Sequence, residues 1–532
     1  MLFHRRELLG KGIALGASLT VLGGRASAIS TKDLFPIVET ENGKLRGFTS
    51  GGVHAFKGVR YGADTSGKNR FMPPAPPPKW AGIQDALDYG QVPPQGPDSR
   101  IRDYAGLITF DVLPGGMGED CLNLNIWTPT LDQNAKRPVI LSLHGGGFSF
   151  GSGNQSVFDG EALARYGDCI VVTVSHRLGA FGFIKLSDHD KNFATSSTAG
   201  MQDLVAALRW VKTNIESFGG DPNRVLIFGQ SGGGAKTSTL MAMPSAQGLF
   251  HRAGVMSGSL LRSQSQETAQ ENTHLLAKEL GIGKRDLANK LQQLSFQDLL
   301  AAQLTITAIP GRRSERQFAP SIDDELPTDP FDPSAPDISK DIPMIIGTTL
   351  DEWTFLSEEF DLSEASLLET INEKVGEDNA ADLLSMYRDE DFSASPYIIQ
   401  GRYLADSVTR VRANLQADRK AAQGGAPVWT YLWSAPSPAF GGRYGATHSA
   451  DLGPSFRNPQ TPLSGATIES ARLADQISSC WVSFAATGNP NHDLIPHWPN
   501  FNSEDRSTLI FDRRTHVEND PRSSFRTYWE ST

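Results

Sequence analysis

The sequence has little cysteine: Cys121, Cys169 and Cys480 are the only three in 532 residues. An odd and small number allows one disulfide at most and excludes a disulfide framework. No CxxC pair, no HExxH and no His/Cys cluster at ligand spacing occurs, so no metal and no cofactor are expected. Positive charge is also in deficit, with 49 Lys and Arg against 60 Asp and Glu and a net charge of −11. There is no basic stripe, which argues against nucleic acid as a partner. No Ser/Gly linker, charge block or internal repeat divides the chain. The 39% hydrophobic and 20% charged content is that of a globular protein with a large core.

The first 28 residues, "MLFHRRELLGKGIALGASLTVLGGRASA", have a basic start, a modest apolar run and an Ala-x-Ala site ending at Ala28. That pattern is a secretory signal. The apolar run is too short and too glycine-rich for a permanent membrane anchor. Arg5–Arg6 followed by Leu8–Leu9 resembles a twin-arginine signal, although His4 stands where Ser or Thr is usual. The expectation is a signal peptide over 1–28 and a single catalytic domain over 29–532, exported to the periplasm or secreted.

After the signal, "PIVET", "GKLRGFT" and "HAFKGVRYG" are short alternating runs broken by glycine and read as hairpins. Farther on, "RPVILSL", "CIVVTVS", "RVLIFG", "IPMIIGTT" and "PVWTYLW" are continuous apolar strands. Between two of them, Met201, Leu204, Val205, Leu208, Val211 and Ile215 recur at helical spacing, and Gly219, Gly220 and Pro222 end that helix. Residues 361–423 are richly helical and predict an inserted cap. Apolar strands alternating with helices predict an α/β chain: a large, mostly parallel sheet covered on both faces.

The pattern GxSxG occurs twice, around Ser149 and around Ser231. A nucleophile elbow needs a strand before it, a helix after it and small residues flanking the serine. Ser231 has "VLIF" before it and "AKTSTLMAM" after it, whereas "GSGNQSVFDG" after Ser149 reads as loop. "HGGGF", residues 144–148, follows a strand and leaves backbone N–H groups open, which suits an oxyanion hole. A serine nucleophile needs a base. Of the six histidines after Ser231, His251 and His274 precede the candidate acids, and His492, His497 and His516 lie in a polar C-terminal stretch. His448 sits in a glycine-rich loop just past "PVWTYLW" and fits best. The acid should follow another strand, and "IPMIIGTTLDEW" offers both Asp351 and Glu352, between which spacing does not choose.

"FKGVRYG" with "NRFMPP", "EDCLNLNIWTP", "HGGGF", "HRLGAFGF", the long run ending "GQSGGG", and "MSGS" follow one another as in the type-B carboxylesterases, the cholinesterase-like α/β-hydrolases. The resemblance covers roughly residues 36–515. It implies Ser231 as nucleophile, His448 as base, Glu352 as acid, and the amides of Gly146, Gly147 and Gly232 as oxyanion donors. It also implies Ser257 as a partner of the acid and Arg70–Glu119 as a structural ion pair. Gln230 departs from the family's frequent glutamate. The position that usually bridges to Cys121 reads Pro93, which fits a chain folded in a reducing cytoplasm before export.

The function so implied is hydrolysis of a small-molecule carboxylic ester through an acyl-enzyme. An amidase or carbamate hydrolase would use the same machinery. A non-catalytic adhesion protein would share the fold, and retention of all three residues weighs against it. In cholinesterases the loop corresponding to 93–121 supplies a tryptophan for a quaternary ammonium. Here that loop has only Tyr104 and Phe110 as aromatics, with Arg100 and Arg102 adding positive charge. Neutral alkyl or aryl esters are the expected substrates.

Overall fold

The structure is a computed structural model that describes residues 34–96, 102–108, 114–308, 317–458 and 461–531. The signal segment, Arg100, Phe110 and the side chain of Arg102 lie outside the described residues.

The predicted N-terminal hairpins are β1 (Ile37–Thr40), β2 (Gly43–Arg46), β3 (Phe48–Ser50) and β4 (Val53–Arg60). They divide between two sheets. β5 (Ile83–Asp85) joins β1 and β2 in a sheet of three. The main sheet continues through β6 (Asn123–Thr128), β7 (Arg137–Leu143), β8 (Ile170–Val174), β9 (Gly220–Gln230), β10 (Arg252–Met256), β11 (Met344–Thr349), β12 (Val428–Trp433), β13 (Ser507–Phe511) and β14 (His516–Asn519). Its order is β14-β13-β12-β11-β10-β9-β7-β8-β6-β4-β3. From β8 across to β13 every neighbouring pair is parallel, and the strands outside that block are antiparallel.

The central strands read as unbroken apolar runs because both faces are covered. In β9, Val225 and Ile227 enter one hydrophobic cluster while Leu226 and Phe228 enter the other. That is the period of two expected of a pleated strand between two layers. The helix Ala199–Asn214 packs Met201, Leu204, Val205, Leu208 and Val211 into the first of these clusters. A 3-10 turn, Ile215–Phe218, and Gly219 at φ 83° end it. β9 then starts earlier than "RVLIFG" suggests, because Gly220 already pairs with Arg137 across a register shift.

Between β11 and β12 the chain forms helices Glu364–Val375, Glu377–Glu390, Pro396–Leu404 and Val411–Ala422, the predicted cap. Leu367, Ile371, Leu383, Tyr387 and Tyr403 build a third cluster there with Phe525 and Trp529 of the C-terminal helix Ser523–Glu530. A π turn, Ala405–Arg410, ties cap to sheet: Arg410 donates to the carbonyl of Thr349 at the end of β11 (2.8 Å), and Asp406 pairs with Arg522 (2.7 Å). Arg70 and Glu119 form a buried two-point ion pair at 2.6 and 2.7 Å. All three cysteines are free and buried. Among the described residues no helix is long and apolar enough to cross a membrane, and no acidic, His or Cys cluster is arranged to hold a metal.

Candidate active site

The loops after β7, β9, β11 and β12 all leave from carboxyl ends of parallel strands, where open α/β sheets bind ligands. Sequence order reverses beside β7: β8 lies on one side and β9 on the other. The loops after β7 and β9 therefore lead off toward opposite sides of the sheet.

Ser231 sits between β9 and the helix Gly232–Met241 at φ 57°, ψ −122°. A non-glycine residue held there is strained by about 1–3 kcal/mol, which the surrounding structure must impose. The Ser231 N–H donates to the carbonyl of Met256 at 2.7 Å, which fixes the elbow on β10. A Cβ at Gly233 would lie 2.0 Å from the Leu143 carbonyl oxygen, so the turn closes only with glycine there. Ser149, the competing match, lies in a turn and donates its N–H to the carbonyl of Gly146.

Gly146 and Gly147 follow β7 with φ of 84° and 62°. A Cβ on Gly232 would lie 2.3 Å from the Gly147 nitrogen. The glycine loop and the elbow thus meet backbone to backbone, with the first peptide after Ser231 against the loop.

His448 follows β12 and is 8% exposed. Its Nδ1 lies 2.5 Å from Glu352 Oε2. A carboxylate accepts only, so Nδ1 carries the proton and Nε2 is the acceptor. Nε2 is met by the Gln230 side-chain amide at 3.0 Å. Phe355 stacks on the imidazole with centroids 4.9 Å apart, and Tyr104 donates its hydroxyl to the His448 carbonyl at 2.6 Å.

Glu352 opens the 3-10 turn after β11 and is 1% exposed. Burial by itself would push its pKa up. Attraction to the imidazolium form of His448 and the hydrogen bond from His448, with smaller contributions from Ser257 and Thr349, together oppose that and hold the carboxyl below its ordinary value. The Thr349 N–H donates to Oε1 at 2.8 Å. Ser257 also favours the ionised form from nearby, although its hydroxyl falls short of full hydrogen-bond geometry. Asp351 points elsewhere: Oδ1 accepts from Arg402 Nε and Oδ2 from the Ala446 N–H, both at 2.9 Å, while its own N–H donates to the Ala446 carbonyl at 3.0 Å. It fastens the Glu352 loop to the His448 loop.

Asp451, three residues past His448, is fully buried. Tyr431 donates to its Oδ2 at 2.6 Å, and among the described residues Oδ1 has no hydrogen-bond partner. Burial pushes its pKa up to about 6; the Tyr431 hydrogen bond opposes that, and the nearby Glu352 adds to it. Sequence reasoning missed Asp451, Phe355 and the part taken by Tyr104, which it counted only as a loop aromatic. The sequence marks Gln230 only as a departure from the family's frequent glutamate, whereas its amide meets the His448 Nε2 nitrogen.

The sequence model described as "Carboxylesterase family" matches residues 35–529. The chain is 35% identical over 502 residues to a para-nitrobenzyl esterase of Bacillus subtilis (strain 168), covering 92% of this chain and 97% of that protein. It is 31% identical to a phenmedipham hydrolase of Pseudarthrobacter oxydans, over 89% of this chain and 94% of that one. Among solved structures, an esterase from Clostridium hathewayi that can hydrolyze aliphatic aromatic polyesters superposes with a TM-score of 0.81. It is 34% identical and covers 93% of this chain and 98% of that chain. The chain therefore belongs to the carboxylesterase family, with its α/β-hydrolase fold, and is a serine carboxylic ester hydrolase.

Proposed function

We propose that Ser231, His448 and Glu352 form the catalytic triad and act through an acyl-enzyme on small to medium neutral alkyl or aryl esters. The observation that carries this reading is the 2.5 Å contact of His448 Nδ1 with the buried Glu352 carboxylate, beside a serine held at positive φ. Glu352 fixes the tautomer that makes Nε2 the proton acceptor, and it stabilises the imidazolium formed when Nε2 takes the proton. For the reaction, Nε2 exchanges the Gln230 amide for the Ser231 hydroxyl. The Ser231 oxygen attacks the ester carbonyl, and its proton passes to His448. The N–H groups of Gly146, Gly147 and Gly232 hold the oxyanion. His448 returns the proton to the leaving alcohol, and water attacks the acyl-enzyme by the same route.

The names of two relatives support neutral, aromatic-bearing esters: one is a para-nitrobenzyl esterase, and the other can hydrolyze aliphatic aromatic polyesters. A fluorophosphonate tests the assignment. One serine, Ser231, should be labelled, and p-nitrophenyl ester turnover should vanish in Ser231→Ala. Ser149→Ala should still take the label. Labelling at Ser149, or turnover without Ser231, rejects the triad.

A further inference from the structure

Gly145, Gly146 and Gly147 carry no side chains to anchor them, and two of the three sit at positive φ. Something outside the loop must restrict it. Lys236 lies on the helix Gly232–Met241 that begins at Ser231, and it is completely buried. Its Nζ donates to the backbone carbonyl of His144 at 2.8 Å and lies 5.8 Å from the centre of the Phe148 ring. One amine thus bonds the residue before the three glycines and lies over the ring of the residue after them. Among the described residues it makes no ion pair with a carboxylate, and burial holds its pKa well below the ordinary value. A lysine placed this way is costly as core filler.

The surroundings fit a clamp. His144 and His176 stack with centroids 5.0 Å apart, and burial, then the nearby Lys236, push both imidazoles well below their ordinary pKa. Phe148 meets Phe183 edge-on at 5.2 Å, and its carbonyl accepts from the Gly179 N–H at 2.8 Å. The far end of the loop is thereby pinned as well.

We propose that Lys236 is a positioning residue for the oxyanion loop: it locks the Gly146 and Gly147 amides to the helix that presents Gly232, so that all three donors converge on one point. The proposal rests on the oxyanion assignment given above. Donors fixed before the reaction stabilise the developing charge without reorganising, so loosening the loop should weaken binding of the tetrahedral state and leave ground-state binding nearly intact.

The test is Lys236→Met, which keeps the length and apolar stem but removes the donor. Two probes are compared. A trifluoromethyl ketone adds the Ser231 oxygen and forms an oxyanion, its serine proton going to His448; the matching methyl ketone binds without that adduct. The trifluoromethyl ketone should bind about 10–100-fold more weakly and kcat should fall in parallel. KM and methyl ketone affinity should stay within about twofold, because ground-state binding does not use the donors. Lys236→Arg, which restores a donor, should recover part of the loss. Should Lys236→Met fail to fold, Lys236→Leu, which also lacks a donor, carries the same comparison. If the folded donor-free variant leaves the ratio of the two affinities unchanged, Lys236 is a core residue and the proposal is overturned. Fluorophosphonate labelling of the unaltered protein separates the two levels. Absence of label at Ser231 rejects the triad and this proposal together, whereas labelling with an unchanged ratio rejects this proposal alone.

Discussion

The Tyr104 hydroxyl donates to the backbone carbonyl of His448 across 344 positions of sequence, at 2.6 Å. The Tyr104 ring also packs on Phe355 at 5.2 Å, and Phe355 stacks on the imidazole. The short helix Arg102–Ile108 thus braces His448 through both its backbone and its ring neighbour.

Tyr104→Phe keeps that packing and removes one hydrogen bond, a net contribution of about 0.5–1.5 kcal/mol. Steady-state kinetics on a p-nitrophenyl ester should show kcat/KM falling roughly 2–10-fold. An unchanged kcat/KM together with a lower Tm would reduce Tyr104 to a purely structural brace.

Asp351 and Glu352 should separate in what they control. Glu352→Gln removes the counter-charge of the imidazolium and should lower kcat by about 10³–10⁴-fold, the scale of losing a triad carboxylate. Asp351→Asn breaks a buried pair with Arg402. It should cost stability, about 3 kcal/mol at the lower end for such a pair, while kcat stays within an order of magnitude. Thermal melts and kinetics on both variants give the answer; exchange of the two signatures would make Asp351 the acid.

Asp451 gives the molecule a pH-dependent stability. Its folded pKa of about 6 exceeds the ~3.9 of an unfolded aspartate. Between those values the folded chain holds a proton that the unfolded chain has released. The stabilisation is fully present below about pH 4 and is lost as pH rises through about 6. A shift near two units corresponds to ~3 kcal/mol. Asp451→Asn accepts from Tyr431 and never ionises, so its Tm relative to the unaltered protein should climb from pH 5 to pH 8. A difference in Tm that stays flat over that range would show that Asp451 does not titrate there.

Choline esters should be poorer substrates than neutral esters with the same acyl group. A cation over an aromatic face gains about 0.5–2 kcal/mol. Tyr104, however, is fully buried against His448 and offers no open face. The net charge of −11 attracts cations only weakly at a distance, because physiological salt screens beyond about 8 Å. Matched choline and isosteric neutral esters decide the matter. A choline preference of about tenfold in kcat/KM, or ~1.4 kcal/mol, would require another aromatic platform.

Much of this was legible in the sequence because strand-end chemistry is local. Ser231 stands between an apolar run and a helix, and His448 just beyond another apolar run, so each could be picked out from its own neighbours. Asp351 and Glu352 could not be separated that way: adjacent residues on a turn point in different directions, and only the folded turn sends one to His448 and the other to Arg402. The Gln230 amide and the Tyr104 hydroxyl act on a residue hundreds of positions away, and no local pattern marks either. The early start of β9 was hidden for a similar reason. Gly220 and Pro222 read as punctuation, but pairing with Arg137 draws Gly220 into the sheet.

Tyr104, Gln230, Glu352 and His448 come from four separate stretches of sequence and must converge before His448 has its neighbours. Contacts of such long sequence separation are slow to close and form late. A refolding chain can therefore regain most of its helix and sheet while still hydrolysing nothing. Recovery of turnover would mark the last steps of folding, behind the signals that report secondary structure.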